Sequence, residues 1–164
     1  MRLPEIFAEE LKRQFSNFEK IQNGLCIAFE QKEQFKVFFC PDVKLYSNGY
    51  LKILGVVGVI IDPFELKFKN QYKLISQFSM SYYLTNYYQF IDPYIKNDTK
   101  SISEVIRTIK SICLEYPHDL EELKSNIRNG VIGNIPIYNL IGYSEKSESL
   151  KKWILDEWGI KLSD

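Results

Sequence analysis

Residues 25–61, LCIAFEQKEQFKVFFCPDVKLYSNGYLKILGVVGVII, decide the fold class. Leu25, Ile27 and Phe29 alternate with Cys26 and Ala28, and Phe35, Val37 and Phe39 repeat the pattern after the polar break Glu30 to Gln34. A period of two sends alternate side chains to opposite faces of a strand, so a β-hairpin is expected here. Asn48-Gly49 tolerates positive φ at two consecutive positions and predicts a type I′ turn. The strand after it, Tyr50 to Ile61, is the most apolar in the chain and is expected at the centre of the sheet. Gly55 and Gly58 interrupt it, where a bulge or a close backbone approach is expected.

Outward from this block the period changes to three or four. Phe7, Leu11, Phe15, Phe18 and Ile21 predict a helix over 4–22 that stops at Asn23-Gly24. Ile102, Val105, Ile106, Ile109, Ile112, Cys113 and Tyr116 trace one stripe and predict a helix over 102–116, with Ser101 and Glu104 at capping-box spacing. Asp119, Glu122 and Gly130 bracket a helix over 119–129. Residues 131–143 read as a loop plus one strand, with Pro136 at its edge or start. Leu150, Trp153, Ile154 and Trp158 share a face of a last helix over about 147–158, and the two tryptophans are expected in the core. In the stretch 64–94, Met80, Leu84, Tyr87, Tyr88 and Ile91 fit a helix face. Strands and helices are thus segregated along the chain. The fold class expected is α+β: an N-terminal helix, an antiparallel sheet of three to four strands, and helices packed on one face.

The bulk properties bound the function. At 164 residues, a single domain over 1–164 is expected. Twenty-one basic residues balance twenty-one acidic ones, spread evenly along the chain. No basic block tracks a phosphate backbone, which argues against a nucleic-acid partner. No apolar run approaches the length of a membrane span, and the charged N-terminus is unlike a signal peptide, so no membrane partner and a cytoplasmic location are expected. Cys26, Cys40 and Cys113 are odd in number and widely spaced. They read as small buried hydrophobes in a reducing compartment.

Few residues are placed for chemistry. His118 is the one histidine. It has Glu115, Asp119 and Glu122 nearby, and reads either as a general base oriented by a carboxylate or as part of a solvated helix start. A zinc site needs three or four ligands, and no second histidine exists, so no metal and no cofactor are expected. Cys40, before Pro41, has no cationic neighbour in sequence that would make a reactive thiolate. No Gly-x-Ser-x-Gly elbow or phosphate-cradling glycine loop occurs. Glu30, Glu33, Asp42, Asp62 and Glu65 lie near strand ends, but nothing in the sequence selects a catalytic pair from them.

The aromatic content stands out instead: eleven Phe, eleven Tyr and two Trp. Tyr72, Phe78, Tyr82, Tyr83, Tyr87, Tyr88, Phe90 and Tyr94 crowd one segment with few charges. Tyrosine offers a large contact area at low entropic cost and keeps a polar tip, which suits both cores and protein interfaces. The expected function is a non-catalytic protein-binding domain whose partner is another protein, with Tyr82, Tyr83 and Tyr87 as contact residues. Bacterial immunity-type proteins, which neutralise a cognate toxin domain by occluding its surface, have this general character. The alternative is a small hydrolase using carboxylate and His118 chemistry.

Overall fold

The computed structural model describes residues 3–21, 24–68 and 78–162. Six strands, β1 (Asn17–Lys20), β2 (Cys26–Gln31), β3 (Phe35–Leu45), β4 (Tyr50–Ile61), β5 (Met80–Tyr83) and β6 (Tyr94–Lys96), form one antiparallel sheet. Its order is β1-β2-β3-β4-β5, and β6 also pairs with β4. The helices are α1 (Glu5–Gln14), α2 (Asp62–Phe68), α3 (Thr99–Cys113), α4 (Leu120–Asn129), α5 (Ile137–Ile141) and α6 (Glu145–Trp158), and a small hairpin joins β7 (Val131–Ile132) to β8 (Ile135–Pro136). The class is α+β as expected, with more strands than the three to four read from the sequence.

The residues gather into two compact units. The first draws on 1–31, 38–57 and 83–114. In it α1 lies against α3: Arg13 forks onto Glu10, with Nη2 to Oε2 at 2.6 Å, and Gln14 Nε2 donates to the Ser103 carbonyl at 3.0 Å. Lys110 reaches from α3 to the Gln14 carbonyl. The helix expected over 4–22 stops at Gln14, because Phe15 turns to extended backbone. Ser16 is then tied through its amide and hydroxyl to the Glu30 carboxylate, and Asn17–Lys20 pair with β2. Sheet pairing overrides helical spacing here, since a period of three to four over two more residues says little against four ladder positions. The stop expected at Asn23-Gly24 falls partly outside the described residues.

The turn between β3 and β4 also differs from expectation. Gly49 N–H donates to the Tyr46 carbonyl at 3.0 Å, so Ser47 and Asn48 are the central residues and Gly49, at φ 84°, follows them. This is a three-residue loop closed by a left-handed glycine, not a type I′ turn. At Gly55 a close backbone approach is visible: a Cβ there would lie 2.2 Å from the Cys40 carbonyl oxygen. β3 meanwhile runs on through Pro41 to Leu45.

The second unit draws on 32–37, 58–82 and 115–164. Phe64 of α2 is fully buried and meets Trp153 edge-on at 6.1 Å, and Trp153 in turn meets Trp158 at 5.1 Å. Burying Phe64 is worth about 2–3 kcal/mol. Lys36 pairs with Asp62 at the start of α2. Residues 131–143, expected to hold a loop and one strand, instead contain the β7–β8 hairpin and α5. Pro136 closes β8 and caps α5, both positions that need no amide proton.

Candidate functional site

The three tyrosines chosen from the sequence do not share a helix. Met80–Tyr83 is a strand, Leu84–Tyr87 a single 3-10 turn, and Tyr94–Lys96 a second short strand. Consecutive residues in a strand point to opposite faces, so Tyr82 and Tyr83 leave β5 in opposite directions. Tyr83 is 69% exposed, whereas Tyr82, in the second unit, and Tyr87, in the first, are half-buried. Tyr88, on the same apparent stripe, is committed inward: its hydroxyl donates to the Ile53 carbonyl at 2.6 Å, and burial pushes its pKa up. Tyr72 lies outside the described residues.

The exposed aromatics that do gather belong to β6 and the β3–β4 loop. β4 buries Leu51 and Ile53 and turns Tyr50 and Lys52 outward. Antiparallel register sets Lys96 opposite Tyr50 and Tyr94 opposite Lys52, so these four share the outer face. Tyr46 joins them, its ring 6.2 Å from that of Tyr94, and the Lys52 ammonium sits 5.5 Å from the Tyr94 centroid. The neighbouring Tyr94 raises the Lys52 pKa above its ordinary value. Sequence reading missed Tyr46 and Tyr50, and placed Tyr94 in the aromatic cluster of 72–94 without choosing it as a contact. Their signal was the alternation of strand positions around 46–52, which places every second residue outward.

Beside this face runs a groove of about 450 Å³ between the 90–96 segment and one side of α3. Phe90, which is 67% exposed, lines it together with Tyr50 and Tyr94, while Ile91 and Val105 give it a buried apolar floor. Glu104 and Asp92 bring carboxylates to it, and Lys96 a cation. The segment also carries unused backbone. Ile53 N–H donates to the Pro93 carbonyl and Asn97 N–H to the Gly49 carbonyl, so residues 93, 95 and 97 face β4. Of the outward groups, Tyr94 N–H is taken by Asp92 Oδ1 and the Lys96 carbonyl by Asp98 N–H. Among the described residues nothing pairs with the Tyr94 carbonyl or the Lys96 N–H. A C=O and an N–H two residues apart on one edge are the pair that a residue of an added strand can bond.

The other sequence candidates fall elsewhere. His118 stands open to solvent, its side chain 61% exposed, with Nδ1 3.1 Å from Glu122 Oε2. Glu122 also accepts from the His118 amide at 3.0 Å, and Asp119 caps α4 through the Glu122 amide at 2.8 Å. These contacts build a helix start. The three cysteines are buried free thiols. Burial raises the Cys26 pKa and pushes those of Cys40 and Cys113 up to about 12, so all three are protonated at neutral pH. Among the described residues no three His, Cys, Asp or Glu side chains converge as a metal set, and no helix is long and apolar enough to cross a membrane. No family model, curated protein or solved structure matches the chain.

Proposed function

We propose that this chain is a non-catalytic protein-binding domain that holds an extended segment of its partner in the groove between β6 and α3. The observation that carries the reading is the exposed aromatic face of Tyr46, Tyr50, Phe90 and Tyr94 beside an unpaired strand edge. Aromatic anchors next to an apolar floor supply contact area, and the free backbone pair supplies register. The lining also specifies the segment: an apolar side chain for the Ile91 and Val105 floor, next to a basic one for Glu104 and Asp92. Tyr83 and Tyr87 are proposed as further contacts. The finer form of the reading is an immunity-type protein that neutralises a toxin domain by covering its surface.

The test is capture by the full chain, followed by crosslinking through a photoreactive residue at position 94 and, as a control, at position 138 in the second unit. Tyr94→Ala together with Phe90→Ala, shown folded by circular dichroism, is expected to weaken capture about tenfold or more. Crosslinks should come from position 94 to an extended segment of the partner. Capture that survives the double substitution, or crosslinks only from position 138, would refute the groove. If the partner is a toxin domain, the same double variant must lose protection of cells that express it.

A further inference from the structure

Lys146 breaks three local rules at once. It is a cation in the first turn of α6, where the helix dipole favours anions. Its side chain is only 9% exposed. Its partner is a single carboxylate, Glu65 Oε1 at 2.7 Å, and a buried ion pair is often no more stable than an apolar pair of similar volume. A methionine would bridge α2 and α6 without these costs. Residues that violate local preferences without a structural gain mark sites where chemistry is placed.

The surroundings of the amine support such a role. Lys146 lines a cavity of about 170 Å³ with Ser79, Ser81, Tyr143, Ser144 and Ser147, closed on its apolar side by residues such as Leu140. Ser79 is buried and oriented at both ends: it accepts from the Ile61 amide at 3.0 Å and donates to Glu65 Oε1 at 2.9 Å. Glu65 is thus held in place beside the ammonium. The Phe64 ring covers another side, 5.9 Å from Nζ. Among the described residues no other carboxylate or carbonyl accepts from Lys146. Burial lowers its pKa while Glu65 opposes the change. At about 30 Å³ per water-sized group, the cavity takes roughly five or six such groups, which limits an occupant to a very small molecule.

We propose that Lys146 is a nucleophilic amine at the foot of a small-molecule site, where it takes a short aldehyde or ketone as a reversible Schiff base. The ammonium gives one proton to solvent, and the freed lone pair on Nζ attacks the carbonyl carbon. The carbonyl π pair moves to oxygen, and one proton passes from the now cationic nitrogen to that oxygen to give a neutral carbinolamine. Its hydroxyl leaves as water on taking a second proton from solvent, the nitrogen lone pair closes the C=N bond, and the iminium returns its N–H proton to solvent; the balance is amine plus carbonyl giving imine plus one water. Ser79 donates to Glu65 and Ser147 to the Ser144 carbonyl, so the hydroxyls of Ser81 and Ser144 are the groups at hand to steady the oxygen as it changes charge. This site belongs to the second unit alone and is independent of the groove beside β6.

The experiment incubates the full chain with propanal and cyanoborohydride at pH 7 and maps the propylated lysines by mass spectrometry. Lys146 is expected to label several-fold faster than the exposed Lys44 and Lys100, since burial favours the neutral amine. A naphthaldehyde probe, too large for the cavity, should reverse that order. Glu65→Gln removes the countercharge that opposes burial; Tyr143 is then the other titratable group lining the cavity, and labelling at pH 7 should accelerate. Labelling in proportion to solvent exposure, equal selectivity for both aldehydes, or slower labelling of Glu65→Gln would overturn the proposal.

Discussion

Gly58 sets the spacing between two strands by lacking one carbon. A Cβ at this position would lie 1.9 Å from the Met80 carbonyl oxygen, inside the β4–β5 ladder. Backbone cannot yield as a flexible side chain does, so Gly58→Ala should cost more than about 2 kcal/mol, read as a lower midpoint in urea unfolding. An unchanged midpoint would mean that the strands separate freely. The sequence raised this possibility through a glycine in an apolar strand, but it could not name the opposing atom. The cysteines were more fully legible, since their count and spacing pointed to buried thiols. Because Cys40 and Cys113 are held protonated up to about pH 12, native protein should react with iodoacetamide far more slowly at pH 8 than protein in urea. Comparable rates would contradict the burial.

At the scale of elements, helices that announce their own ends were read well. Asp119 caps α4 and Gly130 closes it, as the local sequence implied. Asp119→Ala is expected to cost about 1 kcal/mol, measured by thermal unfolding. For α3 the stripe was right and the start was not. Asp98, three residues before Ser101, accepts from the Ser101 amide at 2.8 Å and is the cap. The Ser101 hydrogen bonds lower the Asp98 pKa. Its contribution is therefore complete above the unfolded carboxylate pKa and fades as pH falls through the lower folded one. Asp98→Asn should accordingly be destabilising at neutral pH and lose that penalty in acid, and a penalty that persists in acid would break the link. Residues 15–20 and 80–94 were misread for one reason. Aromatic spacings of three and four there were coincidental, and the decisive information was the presence of a partner strand far along the chain.

Across the whole molecule the charge balance was legible from composition alone. With zero formal net charge and a pI near 6.6, the chain should be least soluble between about pH 6 and 7, where self-repulsion vanishes. A turbidity scan against pH would show this, and a minimum lying well away from the pI would not fit. Composition also disclosed a surplus of aromatics without their location. The sequence by itself determined the α+β class, the strand–turn–strand block over 25–61, the capped helix over 120–129 and the buried thiols. Each of these rests on periodicity, on caps or on residue type, which act within a few neighbours. Only the tertiary structure decided which aromatics face water, that Tyr50 and Tyr94 meet across a strand pair, and that Glu65 and Ser79 converge on Lys146. Those pairings join residues tens of positions apart, and strand register and helix packing, rather than any local preference, bring them together.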